Sequence, residues 1–459
     1  MLLIQTAAKK RRWLRLLPTQ YVLIGFAAII LAGAILLTLP VSSRSGEATD
    51  FLTALFTATS ATCVTGLIVV DTYTYWSTFG QWVILLLIQL GGLGFMSFAT
   101  LLSLLLHRTI SFSERLVMKE AMSFFDTAGI VRTTRHILFG TLFFEGTGAV
   151  ILSIRFAKDF GVAGGIRRGI FHAVSAFCNA GFDIMGSYGQ FSNLTPYVED
   201  VVVNLVVMGL IVIGGLGFFV WEDIARRRTL NLKKLSLYSR LVLTATMLLL
   251  AGGTVFFLFF EWDNPGTLGP LEPSMRVMAA AFQSVTCRTA GFNTIDQTAL
   301  MPASAMLSML LMFIGGASGS TAGGIKVGTF AVLMLTALSV ARGRHSVTVY
   351  ERSVTIGTVL RAVTIFLIAF GLTVGGGMLL TASQHIGMQE ALFECFSAFG
   401  TVGLTMGLTP MLSEVSRVYI ILLMFFGRVG ILTVTISLTA RMRGDIEAVR
   451  YPETRIMIG

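Results

Sequence analysis

Charge is what this chain has least of. Only 13% of its 459 residues are Asp, Glu, Lys or Arg, while 54% are hydrophobic, and its mean hydropathy is +0.79. A soluble domain carries about 25% charged residues, so a surface this poor in charge is read as facing lipid. Cysteine is also scarce. Cys63, Cys178, Cys287 and Cys395 form no CxxC pair and no Cys/His spacing, which argues against a zinc site. The sequence has no P-loop and no Rossmann fingerprint, so this chain is expected to bind no nucleotide. It carries no catalytic constellation and no cofactor motif, and it is read as a non-enzyme without a cofactor of its own. A net charge of +10 could suggest nucleic acid. The Lys and Arg residues are not gathered in one patch, however, but recur between hydrophobic runs, as in a membrane protein.

What is abundant is long apolar sequence. Stretches near 21–39, 82–106, 137–154, 201–221, 241–260, 303–340, 359–380 and 418–440 predict eight transmembrane helices. Lys9, Lys10, Arg11 and Arg12 precede the first, which is too long for a signal-peptide core and reads as a retained helix. Shorter apolar segments at about 51–63, 169–178, 275–287 and 389–399 separate the spans pairwise and read as re-entrant helices. With the N-terminus inside, Lys and Arg concentrate in the inner segments, which predicts that both termini are cytoplasmic. Acidic residues are in excess outside, where they would raise the local cation concentration.

The short segments end in one recurring phrase. It reads SATCVTGL at Ser60–Leu67, SAFCNAGF at Ser175–Phe182, VTCRTAGF at Val285–Phe292 and SAFGTVGL at Ser397–Leu404. Each places a glycine seventh: Gly66, Gly181, Gly291 and Gly403. The following helix repeats as well, with QLGGLGF at Gln89–Phe95, IGGLGF at Ile213–Phe218, IGGASGS at Ile314–Ser320 and FGRVGI at Phe426–Ile431. Small residues for helix packing account for any one of these, but not for four at the same place in a two-span unit. The expected fold is an all-α polytopic membrane protein, with four tandem helix–pore-helix–filter–helix repeats around one pseudo-fourfold pore. The repeats are placed at 19–106, 136–221, 241–340 and 359–440. Cytoplasmic loops at 107–135, 222–240 and 341–358 join them, between a basic N-terminus at 1–18 and a C-terminus at 441–459.

Non-helical backbone inside a membrane must be buried by protein or line water. Four extended strands after four re-entrant helices would place rings of carbonyl oxygens where a dehydrated K⁺ can exchange its water shell. Glycine supplies backbone conformations closed to other residues, and the helix C-termini favour a cation. None of the four phrases contains an acidic residue; Asp71, Asp183 and Asp296 lie just outside them. A carboxylate ring for a divalent cation is therefore not expected. Arg288 would repel K⁺ in a pore, so its side chain is expected behind the strand, toward acidic or carbonyl partners.

Four such units, the phrase RTAGFNT at Arg288–Thr294 and the broken third inner helix resemble the Trk/Ktr/HKT superfamily of K⁺ transporters. Length and layout are most similar to its KtrB-type membrane subunit. The resemblance implies one pore per subunit, with a filter made by Val64, Thr65 and Gly66; Asn179, Ala180 and Gly181; Thr289, Ala290 and Gly291; and Thr401, Val402 and Gly403. None of these strands has the Tyr of a tetrameric channel's TVGYG, and unlike side chains share a level, so a less uniform carbonyl cage is expected. The resemblance further implies an intramembrane gate loop at Gly315, Gly316, Ala317, Ser318, Gly319, Ser320, Thr321, Ala322, Gly323 and Gly324, with a simple kinked helix as the alternative. Lys326 is read as snorkelling at the inner end. Arg428 is read as an electrostatic barrier beside the loop, or else as the partner of Glu145 or Glu394.

The resemblance also implies a homodimer on a cytoplasmic ring of RCK-domain subunits (KtrA-like) that bind adenine nucleotides, in a bacterial plasma membrane. The basic loops at Arg226–Lys234 and Arg342–Arg344 are candidate docking surfaces, and lipid headgroups are an equally open partner for them. The expected activity is channel-like K⁺ uptake, with Na⁺ dependence left open. The alternatives are an alternating-access carrier of a small solute, a less selective Na⁺/K⁺ pathway, or a scaffold subunit. Four parallel units favour a pore over a carrier, whose repeats usually number two and are often inverted.

Overall fold

The computed structural model describes residues 17–94, 115–118, 130–229, 231–344, 346–431 and 433–434. The basic cluster Lys9–Arg12, most of the loop at 107–135, the distal parts of the spans at 82–106 and 418–440, and the C-terminal segment 441–459 lie outside the described residues.

The first repeat runs α1 (Pro18–Thr38), α2 (Phe51–Cys63) and α3 (Thr78–Leu93). Helix α1 is apolar on every face and begins with a proline in its first turn, where the missing N–H costs nothing. Asp50 caps α2 by accepting from the Thr53 N–H, and Ser77 caps α3 by accepting from the Gly80 N–H. The predicted short segment at 51–63 is thus a helix of that extent. Helices α8 (Pro273–Thr286) and α12 (Met388–Gly400) match the third and fourth short segments in the same way.

The second repeat carries both expected segments: the span at 137–154 and the short segment at 169–178 lie in α4 (Ile130–Phe177), two helical stretches divided at Gly161. Gly161 takes φ 70° and ψ 170°, a combination a residue with a Cβ avoids. The following span, expected as one helix over 201–221, is instead α5 (Val201–Gly215) and α6 (Phe218–Arg227), turned 92° from each other. The hinge is Gly217, at φ 88°.

The remaining elements are α7 (Leu237–Glu261), α9 (Pro302–Phe313), α10 (Val327–Ala341), α11 (Ile356–Gln384) and α13 (Glu414–Val429). A two-residue antiparallel pair, Thr348–Val349 with Arg352–Ser353, is the only sheet among the described residues. Among the described residues, four helices (α1, α4, α7 and α11) are long and apolar enough to cross a membrane, and α5 with α6 makes a fifth if the bent pair counts as one. Large apolar side chains stand exposed on their outer faces, among them Leu142, Phe143, Ile154, Leu248, Phe259 and Leu367. Outward-facing apolar surface of this kind suits a lipid solvent. The chain is a multi-pass membrane protein with a mostly helical fold.

Inside, the small residues act as close contacts. A side-chain carbon at Gly91 would overlap the Thr62 carbonyl, one at Gly214 the Phe177 carbonyl, and one at Gly427 the Phe399 carbonyl. The first glycine of each inner-helix pair in repeats one, two and four therefore lets that helix press on the C-terminal end of its own short helix. In the third repeat the corresponding Gly315 meets the Gly323 carbonyl of the loop instead.

Candidate functional site

The four short helices end in the same way. At Val64, Asn179, Thr289 and Thr401 the backbone turns left-handed, with φ of 58°, 59°, 73° and 50°. Two residues on, Gly66, Gly181, Gly291 and Gly403 are again at positive φ, between 69° and 94°. Three of the four leading residues are β-branched, for which this conformation is a genuine outlier. Strain of this kind is kept only where the surroundings hold it. The holding bonds are visible: Thr65, Ala180 and Val402 donate their N–H to the carbonyls of Ser60, Ser175 and Ser397, and Ala290 donates to Thr286.

The four strands close on one another. A side-chain carbon at Gly66 would lie 2.5 Å from the Ala180 carbonyl oxygen, and one at Gly181 would lie 2.7 Å from that of Ala290. At Gly291 it would strike the carbonyl oxygen of Val402, and at Gly403 that of Thr65. Strand one thus meets two, two meets three, three meets four and four meets one. The residues proposed from sequence for the four strands come together in this ring, every one of them buried. Between the second and third strands, the Asn179 amide and the Thr289 hydroxyl are 3.1 Å apart. With the amide nitrogen donating to Ala176 and Ile211, its oxygen accepts from that hydroxyl.

Arg288 lies behind the ring, as expected for it. Its guanidinium donates to the carbonyls of Gly315 at 3.0 Å and Thr246 at 3.4 Å. All four cysteines are buried and free. Asp71 does not stand free at the outer end. It accepts from the N–H groups of Tyr73, Thr74 and Phe191, and so ties the exits of the first and second strands together.

On the other side of the ring, α9 ends at Phe313 and α10 starts at Val327. The predicted interruption at Gly315–Gly324 is therefore real and slightly longer. It is a compact loop rather than a kinked helix. Ile314 and Ile325 pair as a parallel bridge at its neck, and Gly315 N–H donates to the Ile325 carbonyl at 2.8 Å. The loop is held from the other repeats. Ala317 N–H donates to Gly215, Phe218 N–H donates to the Gly319 carbonyl, and Gly324 N–H donates to Gly427. The Thr321 hydroxyl donates to the carbonyl of Phe177, at the end of the second short helix. A Cβ at Gly323 would collide with the Thr401 side chain, so the loop lies directly against the fourth strand.

Arg428 sits at the junction. Its guanidinium donates to the Thr321 carbonyl of the loop and to Gly91 and Gly92 at 2.5 and 3.0 Å. Its partners are backbone carbonyls, and it forms no ion pair with Glu145 or Glu394. Glu145 accepts from Gln89, and Glu394 accepts from Thr405 and Thr409. Lys326 corrects the snorkelling expectation. Its ammonium turns back to the Ala322 carbonyl at 2.6 Å. It lines a cavity of about 290 Å³ with Gly92, Ser320, Gly324, Phe399 and Arg428.

The sequence reading missed that every inner helix breaks at this depth. Helix α3 ends at Gly94 (φ 78°), α5 turns at Gly217 (φ 88°) and α13 ends at Gly430 (φ 94°). The signal was the glycine three residues after the first in these phrases (Gly94, Gly217 and Gly430), which read as part of a packing motif.

Four left-handed strands closed into a ring, with a glycine-rich loop and a fixed guanidinium packed against them, define a class of multi-pass membrane protein. Comparison with known proteins places it more closely. The family model described as TrkH, cation transport protein, matches residues 9–445. The chain is 44% identical over 99% of its length to the whole of the potassium/sodium uptake protein NtpJ of Enterococcus hirae. It is 40% identical to the Ktr system potassium uptake protein B of Bacillus subtilis, over 98% of each chain. The potassium transporter TrkH of Vibrio parahaemolyticus shares the fold, with a TM-score of 0.71 at 19% identity, over 93% of this chain and 85% of that one. The chain belongs to the TrkH family of cation transport proteins, and within it is of the KtrB type.

Proposed function

We propose that this chain is the ion-translocating subunit of a Ktr-type system and takes up K⁺ through a single gated pore. The observation that carries the reading is the closed cycle of four glycines, each against the carbonyl before the next. Carbonyl rings of that kind replace a cation's hydration shell without introducing fixed charge. In this reading Val64–Gly66, Asn179–Gly181, Thr289–Gly291 and Thr401–Gly403 form the filter, and Gly315–Gly324 with Arg428 form the gate. Eight spans, with both termini cytoplasmic, fit the distribution of Lys and Arg. Relatives named for Ktr-system potassium uptake, across nearly the whole chain, support K⁺ as the cargo.

A less selective K⁺/Na⁺ pathway is the second reading. Unlike residues around one level of the ring favour it, as does the relative named for both potassium and sodium. Na⁺ dependence of K⁺ uptake is part of the same question.

The word "system" in the relatives' names supports a partner subunit. A homodimer seated on an RCK-type ring that binds adenine nucleotides is the proposed assembly. Its docking surface would be the exposed basic residues at Arg226, Lys233, Lys234, Arg342 and Arg344. The experiment is Rb⁺ uptake in a cell lacking its own K⁺ transport, with and without an RCK subunit. Uptake that saturates with Rb⁺ and is raised by the partner is expected. No uptake of Rb⁺, K⁺ or Na⁺ in either state would overturn the proposal.

A further inference from the structure

The four strands share a backbone but are held from behind in two different ways. In the first and fourth, the serine that opens the phrase accepts a hydrogen bond from the ring glycine. Gly66 N–H donates to Ser60 Oγ, and Gly403 N–H donates to Ser397 Oγ, both at 3.1 Å. In the second and third, a hydroxyl donates instead. Ser175 Oγ donates to the Phe182 carbonyl at 2.7 Å, and Thr286 Oγ1 donates to the Phe292 carbonyl at 2.5 Å. Ser60, Ser175, Thr286 and Ser397 are all fully buried.

The third strand reaches this arrangement by a shift of one residue. Val285 stands where the other phrases have serine and has no hydroxyl. The Ala290 N–H closes on Thr286, four residues back, whereas Thr65, Ala180 and Val402 close five residues back. The shift brings Thr286 behind the strand, where its hydroxyl takes the role that Ser175 has in the second.

Phe182 and Phe292 follow the ring glycines, so their carbonyls belong to the outermost level of the filter. Leu67 and Leu404 are their counterparts in the first and fourth strands, and no donor reaches the carbonyl of either among the described residues. An oxygen aimed at a hydroxyl behind its strand is not aimed at the axis, and one of its lone pairs is engaged. The two kinds of strand are also contiguous. The second and third are neighbours joined by Asn179 and Thr289, and the fourth and first meet where Gly403 faces Thr65.

We infer that the outermost carbonyl level is half-built, with ligands for a cation from Leu67 and Leu404 alone, and that Ser175 and Thr286 are positioning residues that set its ion discrimination. The inference rests on the reading of the ring as the cation path. A cation held by two carbonyls on one side keeps water on the other. Discrimination by replacement of the whole hydration shell then falls to the inner levels. The outermost level passes K⁺ and Na⁺ with little preference because of two hydroxyls, whatever side chains face the pore.

The test is competitive K⁺ and Na⁺ flux in proteoliposomes containing the purified full chain, comparing two pairs of substitutions. Ser175→Ala with Thr286→Val releases the Phe182 and Phe292 carbonyls. It is expected to raise the preference for K⁺ over Na⁺ at least threefold and lower KM for K⁺ without raising maximal flux. Ser60→Ala with Ser397→Ala orphans the Gly66 and Gly403 N–H groups and is expected to shift the preference the opposite way. Ser175→Thr and Thr286→Ser keep the hydroxyl and are expected to match the unmodified protein. A pair that does not elute as a single species is replaced by the corresponding Cys variants, which keep the volume and weaken the hydrogen bond. Shifts of the same sign in both pairs, or no shift in the first, overturn the inference and leave the pore standing. Absence of cation flux in the unmodified protein overturns the pore and the inference together.

Discussion

The ring and the region just beneath it obey different rules. In the ring, four sequences as unlike as VTG, NAG, TAG and TVG adopt one backbone, with left-handed residues two apart. Beneath it, four glycine-rich phrases as alike as GGLG and GGAS diverge into a helix end, a 92° turn, a loop of more than ten residues and a helix carrying an arginine. The difference teaches where symmetry is needed. In the proposed pore a cation on the axis would be recognised by backbone carbonyls, so backbone is what repeats. A barrier would need only one obstruction, and the proposed gate takes its loop from one repeat and the guanidinium that pins it from another.

The largest effect should come from breaking the symmetric part. Replacing Gly66, Gly181, Gly291 or Gly403 by Ser adds a carbon where a neighbour's carbonyl already stands. It also adds a left-handed penalty of about 1–2 kcal/mol for a residue with a Cβ. Cation uptake is expected to fall more than about tenfold in each variant, measured as Rb⁺ uptake. Equal uptake in all four would show that the ring is packing rather than pathway.

Breaking the asymmetric part should have the opposite sign. Shortening the loop by removing Ala317–Ala322 is expected to raise flux several-fold in partner-free proteoliposomes. Flux that stays level or falls in an intact protein would place the barrier elsewhere.

Arg428→Ala should act in the same direction and less strongly, since it removes only the bond to the Thr321 carbonyl and leaves the anchors at Phe177, Gly215, Phe218 and Gly427. Hydrogen bonds to a charged group contribute about 1.5–3 kcal/mol, but the remaining anchors still hold the loop, so the increase should stay below that of the shortened loop. Arg428→Lys should recover part of the block, because a compact ammonium cannot span both the loop and α3.

The smallest effect is expected at Lys326. Lys326→Met keeps the length of the side chain and removes one hydrogen bond to Ala322. Its flux should lie between those of the unmodified protein and Arg428→Ala. A larger increase than Arg428→Ala gives would make the lysine the principal charge barrier.

Much of the symmetric region was legible because it is written as a repeat. Short helices were expected at 51–63 and 389–399 and are seen at Phe51–Cys63 and Met388–Gly400. Glycines at one place in four phrases identified the close-contact positions, since only they tolerate a carbonyl at van der Waals distance. The asymmetric region was legible only as an oddity. Gly217 and Gly430 look like packing glycines in sequence, and nothing local distinguishes a glycine that admits a neighbour from one that turns the chain. The break at Gly161 was legible as a gap between the apolar stretches at 137–154 and 169–178, although the helices on either side run closer to the glycine than those bounds. The partners of Lys326 and Arg428 were out of reach. Both bind carbonyls contributed by tertiary packing, and a backbone carbonyl has no letter in a sequence.

The account stands or falls on whether a cation occupies the ring. The direct measurement is a structure of the protein equilibrated with Rb⁺ or Tl⁺, read by anomalous scattering. The account predicts density on the axis bounded by the carbonyls of Thr65, Ala180, Ala290 and Val402. Density confined to other positions, with the axis empty at saturating ion, would contradict it.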